Sequence, residues 1–260
     1  MSLDKNHPIP LYYQLAERLR EQIQSGQLLP GAQLPSEREL SEQAGISRMT
    51  VRQALAYLVR AGELYVRPGL GTFVSEPKLV HDTLHLLSFT EEMMRQGEAA
   101  TSRVLEQAVV VPPAHVAAAL GMAAGHTAVK VARLRLNSSL PLLLETSFIP
   151  TTLCPGLEMI DLEKRSLYAV LEREFGLAPT RTRQTLEATI ANDYEVSIFG
   201  LPAGSPMILL EGVTYVGDDN PIEHFKAIYR GDRFKFELES HRDSGASPLH
   251  SEQRVSVLWA

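Results

Sequence analysis
The sequence predicts an α+β protein in two parts, an N-terminal winged helix-turn-helix and a following domain dominated by an antiparallel sheet. Three observations predict it. Residues 34–74 hold two short helical segments and a glycine-bounded hairpin, in the order and spacing of a motif that grips DNA. Beyond them, apolar alternation marks several strands with only short helical stretches between. The charge also divides: residues 1–78 carry 9 Lys or Arg against 8 Asp or Glu, whereas residues 79–260 carry 16 against 23. The formal net charge of −6 therefore belongs to the second part, and the cations of the first fall on its proposed DNA face, where the local field steers a duplex.

Pro10 opens a first helix, since proline there sacrifices no intrahelical bond; Leu11, Leu15, Leu19 and Ile23 share one side and Gly26 ends it. Ser36 and Glu39 form an S-x-x-E capping box, so a second helix starts there and runs to Gly45. After a tight turn, Ser47 caps a third helix. Its Val51, Leu55 and Leu58 recur at i, i+4 and i+7 as a buried stripe, and Gly62 ends it. Arg48 and Arg52, one turn apart, share the opposite face with Thr50 beside them. An arginine fork bonds two acceptors on guanine or grips a phosphate, and a recognition helix reads base edges chiefly through its N-terminal residues. Leu64-Tyr65-Val66 and Thr72-Phe73-Val74 then flank Arg67-Pro68-Gly69-Leu70-Gly71, a wing whose glycines let the backbone approach DNA and whose Arg67 can enter a minor groove. The expected partner is double-stranded DNA. One recognition helix reads only a few base pairs, so a homodimer on a palindromic operator is expected.

Residues 1–75 are thus the DNA-binding domain, 76–88 a linker broken by Pro77, 89–241 the second domain, and 242–260 a tail of low periodicity expected to be disordered. In the second domain, Val104 to Val111 reads as a strand stopped by Pro112-Pro113, and His115 to Leu120 as a short helix. Val129 to Leu136 alternates, which sets Val129, Val131, Arg133 and Arg135 on one face. Asn137-Ser138-Ser139 turns the chain into an antiparallel partner, Leu142 to Ile149, carrying Glu145. Leu167, Val170, Leu171 and Phe175 make a helical stripe ended by Gly176. Further strands are expected at Thr182 to Ala191, Met207 to Val216, Ile222 to Tyr229 and Phe234 to Glu239.

Hydrophobic residues at 44% and charged residues at 22% are ordinary for a soluble globular protein. Cys154 is the single cysteine, which excludes an intramolecular disulfide and a cysteine metal cluster, and the histidines lack ligand spacing. No metal or cofactor is expected. Neither a membrane span nor a signal-peptide pattern is visible, so the expected location is the cytoplasm.

The segments PLYYQLAERLREQI, LPSERELSEQAGISRMTVRQAL and GLGTFV resemble the DNA-binding domain of the GntR family of bacterial regulators almost end to end. That resemblance implies DNA contacts from Arg38, Ser47, Arg48, Thr50, Arg52 and Gly69. SFTEEM at 88–93, ARLR at 132–135, PLLLETSFIP at 141–150, RSLY at 165–168 and IEHFKAIYRGDRFKF at 222–236 are similar to the UTRA effector domain of the HutC subfamily, whose fold is like that of chorismate lyase. Within the subfamily the chain is most similar to repressors of N-acetylglucosamine use, which sense amino-sugar phosphates. The implied effector residues are Phe89, Thr90, Arg133, Leu134, Arg135, Glu145, Ser166, Leu167, Tyr168, Glu223 and Asp232.

Their chemistry suits such a ligand. Ser88 and Glu91 form a second capping box, so Phe89 and Thr90 offer backbone N–H groups at a helix start, and Ser166 stands at the start of another. Arg133 and Arg135 can neutralise a phosphate, while Glu145, Glu223 and Asp232 can accept from sugar hydroxyls or an amine. Two readings stay open. Glu145 can instead pair with Arg133 across the hairpin, and Glu91 and Glu92 crowd the first of these helix starts, where their charge opposes an anion unless they turn outward. The arginines ask for an anion, not for one sugar: another phosphosugar, a phosphonate or an organic acid also satisfies them. Catalysis of the chorismate-lyase kind is the rival from another class, but no nucleophile–base pair or metal constellation supports it and it leaves the DNA-binding half idle.

Overall fold
The computed structural model describes residues 3–5, 7–82, 86–217 and 219–238. The expected disordered tail, 242–260, lies outside the described residues.

The first domain packs three helices, α1 (Leu11–Gln24), α2 (Glu37–Ala44) and α3 (Arg48–Arg60), against the hairpin β1 (Leu64–Arg67) and β2 (Gly71–Val74). Local chemistry sets the boundaries. Ser36 and Glu39 cap α2 reciprocally, and Gly45 ends it at φ 64°, a left-handed conformation that a Cβ disfavours. Ser47 Oγ accepts from Thr50 N to start α3. Leu15, Leu19, Leu40, Val51, Ala54 and Leu58 are fully buried together, one stripe from each helix, which holds the exposed face of α3 in a fixed orientation.

The second domain is a six-stranded, wholly antiparallel sheet. Its strands are β4 (Ala100–Val110), β5 (Ala128–Asn137), β6 (Leu140–Pro150), β7 (Arg181–Ile190), β8 (Pro206–Val216) and β9 (Asn220–Arg230), in the spatial order β4-β5-β6-β9-β8-β7. Helices α4 (Phe89–Arg95) and α6 (Leu167–Phe175) help to bury one face, and α7 (Asp193–Phe199) the other; α5 (Ala114–Ala119) is a short connector. Central strands β5 and β9 are buried on both faces along most of their length, their charged residues Arg133, Arg135, Glu223 and Arg230 included.

Three elements had no counterpart in the sequence reading, one of them a single 3-10 turn at Leu157–Met159. Helix α7 starts from a capping box of Asn192 and Glu195 and ends at Gly200. Strand β3 (Leu79–Asp82) lies inside the segment expected to be a linker and pairs in parallel with β10 (Phe234–Glu237). The two domains also touch directly. A Cβ on Gly62, just past α3, would meet the Asp232 carbonyl oxygen at 2.6 Å, and Lys78 Nζ donates to Gly231 O at 2.7 Å.

Candidate functional site
On the first domain, Arg38, Arg48 and Arg52 are all solvent-exposed. Arg52 Nε and Nη2 donate to Glu37 at 3.0 and 2.8 Å, and this bond, with the Arg52 charge, holds the Glu37 carboxyl below the usual carboxylate range. Arg38 approaches Glu42 at 3.5 Å. Exposed pairs of this kind contribute about 0–1 kcal/mol, so either arginine can exchange its carboxylate for a nucleic-acid acceptor at little cost. Thr50 is tied by its hydroxyl to Ser47 Oγ at 2.9 Å, which fixes both side chains at the helix start. In the wing, the Arg67 guanidinium lies 5.4 Å from the Tyr65 ring centroid and 5.2 Å from that of Phe73, and Gly69 sits at φ 76°. Every expected DNA-contacting residue is therefore placed on α2, α3 or the wing.

On the second domain, the register of β5, β6 and β9 aligns Arg133 with Glu145 and Glu145 with Ala227, and Arg135 with Leu143 and Leu143 with Tyr229. These side chains share one face of the sheet. Arg133 and Arg135 are each 2% exposed. Arg133 Nη2 donates to Glu145 Oε1 at 2.6 Å, so the cross-hairpin pair exists. Arg135 lies over the Phe89 ring at 4.8 Å and donates to Thr90 Oγ1 at 2.8 Å, while Glu145 stands 4.0 Å away. Arg133 Nε and Nη1 and Arg135 Nε are buried without a hydrogen-bond partner. Burial and the neighbouring Arg133 charge push the Arg135 pKa down to about 10. Burial alone would raise Glu145, but the two arginines outweigh it and hold the carboxyl below its ordinary range. One ionised carboxylate thus faces two buried cations.

Glu223 is a different carboxyl. It accepts from Ser147 Oγ at 2.6 Å, Thr214 Oγ1 at 2.8 Å and the Tyr168 hydroxyl at 3.1 Å. Burial raises its pKa despite those bonds, and the Glu145 charge adds to the rise. Glu223 is therefore held by three hydroxyls rather than by an arginine.

The remaining expected residues divide. Ser166 caps α6, Leu167 is buried in the core beneath it, and Tyr168 reaches Glu223. Contrary to its expected place among the effector residues, the Leu134 side chain packs on the opposite face of the sheet, against the core that includes Phe199 and Ile228, because strand alternation turns it away from Arg133 and Arg135. Asp232 pairs with Arg230 at 2.6 Å in the turn that touches Gly62. The two carboxylates at α4 find separate partners. Glu91 folds back onto Ser88, and Glu92 turns inward rather than outward, buried against His81 Nδ1 of β3 at 2.7 Å.

Three groups were not anticipated. Lys164 and Arg165 line a cleft of about 250 Å³ with Thr90, Ser102 and Glu163, and their adjacency to the expected Ser166 was the available signal. Tyr229 lies on the same face as Arg135, its hydroxyl pushed well above the ordinary tyrosine range by burial and by the Glu92 and Glu145 charges. Ser147 and Thr214 complete the Glu223 network; strand alternation from Glu145 puts Ser147 on the same face. No helix of the described residues is long and apolar enough to cross a membrane.

Comparison with known proteins covers both halves. Residues 11–74 match the model of bacterial regulatory proteins of the gntR family, and residues 95–235 match the UTRA domain. The chain is 41% identical over 236 residues to the HTH-type transcriptional repressor NagR of Bacillus subtilis, covering 91% of this chain and 97% of that one. It is 34% identical over 216 residues to the repressor PhnF of Mycolicibacterium smegmatis, covering 83% and 87%. The crystal structure of PhnF from Mycobacterium smegmatis superposes with a TM-score of 0.62 at 32% identity, covering 89% of this chain and 99% of that one. A helix-turn-helix with an exposed arginine face and a UTRA domain with a buried arginine pair are thus joined in this one chain. The chain belongs to the GntR family of bacterial regulatory proteins, in the HutC subfamily that couples the helix-turn-helix to a UTRA domain.

Proposed function
We propose that the protein is a homodimeric transcriptional repressor that binds a palindromic operator and releases it when the UTRA domain takes up an amino-sugar phosphate, N-acetylglucosamine 6-phosphate or glucosamine 6-phosphate. One observation carries the anionic part of this reading: Arg133 and Arg135 are buried against a single ionised carboxylate, with three guanidinium nitrogens unpaired. Burying a charge without a partner costs several kcal/mol, and a phosphate dianion offers both the missing charge and acceptors for the idle donors. Thr90, already bonded to Arg135, and the first turns of α4 and α6 add hydroxyl and amide donors nearby. Glu145, and Glu223 in its hydroxyl network, suit the hydroxyls or amine of the sugar. Asp232 would serve a sugar group only by sharing its bond with Arg230, and its contact with Gly62 would carry such a change toward the recognition helix.

The resemblance to repressors of N-acetylglucosamine use favours the amino sugar among possible anions. The protein acts by binding rather than catalysis, inside the cell where its DNA lies, and its similarity to proteins named as transcriptional repressors supports that reading. The test is operator binding followed by fluorescence anisotropy with each ligand at millimolar concentration. A coupling of about 1–3 kcal/mol weakens operator affinity roughly 5- to 150-fold. The phosphosugars are expected to produce that loss and the unphosphorylated sugars to leave affinity unchanged. If neither phosphosugar binds or shifts the operator equilibrium, the amino-sugar reading is wrong.

A further inference from the structure
Helix α3 turns about 100° per residue, so the direction of each side chain around its axis follows from its position. Val51, Ala54, Leu55 and Leu58 are buried, and the centre of that inner stripe lies roughly opposite Met49. From the outward direction Met49 deviates by only about 10° and Gln53 by about 30°, whereas Arg52 stands about 70° to one side, Arg48 about 110° to the same side and Thr50 about 90° to the other. Exposure agrees. Among residues 48–53 only Arg48, Met49, Arg52 and Gln53 are exposed, Met49 at 67%, and Thr50 is half-buried. Ala56, the next residue on the outward line, is exposed and small, which lets a duplex come close to the helix.

The flanking residues have partners within the chain, and the two at the front do not. Arg52 is drawn toward α2 by its bonds to Glu37, and the Thr50 hydroxyl is turned back to Ser47. The Gln53 amide makes no side-chain hydrogen bond among the described residues. Neither Met49 nor Gln53 carries charge, so neither adds to the counterion-release term through which lysine and arginine hold the phosphate backbone. What they can recognise is the edge of a base. A recognition helix reads bases chiefly through its N-terminal residues, and Met49 and Gln53 lie in the first two turns of α3. In the major groove a glutamine amide matches the N6 donor and N7 acceptor of adenine, and an apolar side chain packs on the methyl group of thymine. Methionine, unbranched and polarisable, adapts its shape to such a contact. Residues four apart on a helix have Cβ atoms about 5–6 Å apart, against a rise of about 3.4 Å per base, so the two side chains reach neighbouring base pairs.

We infer that Met49 and Gln53 are the front pair of base readers: Gln53 bonds N6 and N7 of an adenine, and Met49 packs on the methyl group of a thymine in a neighbouring base pair, with Arg48 and Arg52 at their flank. This rests on the operator binding through α3 proposed above. Selection of duplexes from a random-sequence library by the full chain supplies the site. Its thymines are then replaced one at a time by deoxyuridine, which lacks only the methyl group, and its adenines by 7-deazaadenine, in which C–H replaces the N7 acceptor. For the wild type, one uracil position in a half-site is expected to weaken binding about fourfold, the effect of exposing one buried methyl group, and one deazaadenine position about fivefold or more. Met49→Ala should bind the thymine and uracil duplexes alike while keeping the response to 7-deazaadenine, and Gln53→Leu should do the reverse. Both side chains are exposed, so both variants should melt as the wild type does, and a role in folding alone would leave the responses to the two base analogues unchanged. A Met49→Ala protein that responds to every uracil as the wild type does overturns the assignment of Met49, and a Gln53→Leu protein that responds to every deazaadenine as the wild type does overturns that of Gln53. A selected site that Arg48→Ala and Arg52→Ala also bind unchanged moves DNA reading off α3 altogether, and a wild type that selects no sequence overturns the operator reading with it.

Discussion

Replacing Arg135 by Met removes a buried charge while keeping most of the side-chain volume, and the structure sets the size of the effect on the ligand-free protein. A folded pKa of about 10, well below the ordinary guanidinium range, means that at neutral pH the folded state bears a cost of about 3 kcal/mol for this cation, at about 1.36 kcal/mol per pH unit. The sign follows from a cation whose pKa is depressed: the cost is fully present below the folded pKa and relieved only above it. Methionine also forfeits the bond to Thr90 and the stacking on Phe89, about 1 kcal/mol each. The net is a stabilisation of about 1 kcal/mol, or a melting temperature about 2–4 °C higher for a protein of this size. The same substitution removes a phosphate partner, so the rise in melting temperature that a bound phosphosugar gives the wild type should vanish. Differential scanning fluorimetry with and without ligand measures both. An Arg135→Met protein that melts several degrees lower without ligand, or that still gains full stability from ligand, refutes the claim that this arginine is an unsatisfied cation awaiting an anion.

Two further outcomes are expected. Arg52→Ala should weaken operator binding by about 1–3 kcal/mol and relax sequence preference if the arginine reads a base, or weaken all sequences alike and lower the salt slope by about one if it holds a phosphate; anisotropy at several salt concentrations separates the two, and wild-type binding at moderate salt would remove Arg52 from the DNA face. Glu223 has a raised folded pKa, so its contribution to stability is present in acid, below its unfolded pKa, and is lost as pH rises through the folded value. Glu223→Gln should accordingly flatten the stability-versus-pH profile above the ordinary carboxylate range, as followed by urea denaturation; a profile that stays parallel to the wild type contradicts the raised pKa.

The sequence was most informative where structure is local. The capping box of Ser36 and Glu39, the stripe of Val51, Leu55 and Leu58 and the glycines around the wing each act within a few residues, and the first domain follows from them. Alternation around the Asn137-Ser138-Ser139 turn likewise put Arg133 and Glu145 opposite one another, because hairpin register is set by its own turn. The helix α7 was legible in the same way, through Asn192 and Glu195, but its short length concealed it. What could not be read is non-local. Strand β3 exists because β10, from the far end of the chain, lies beside it. Glu92 turns inward because β3 brings His81 to it. The unpaired nitrogens of Arg133 and Arg135 depend on α4 and α6 covering a face whose residues alternate like those of any half-exposed strand. Resemblance to a family supplied the candidate site residues, but not the distinction between Glu145, whose carboxyl the arginines hold below its ordinary range, and Glu223, whose carboxyl burial raises.

The central claim is that the buried arginine pair receives the effector's phosphate and that its occupancy controls DNA binding. Isothermal titration calorimetry of glucosamine 6-phosphate and of unphosphorylated glucosamine into the wild type, Arg133→Ala and Arg135→Ala tests it most directly, with operator affinity measured on the same preparations. The account predicts that the wild type binds the phosphosugar far more tightly than the neutral sugar, and that both variants lose phosphosugar binding while holding the operator with wild-type affinity. Equal affinity for the two sugars, or variants that bind the phosphosugar as the wild type does, would contradict it.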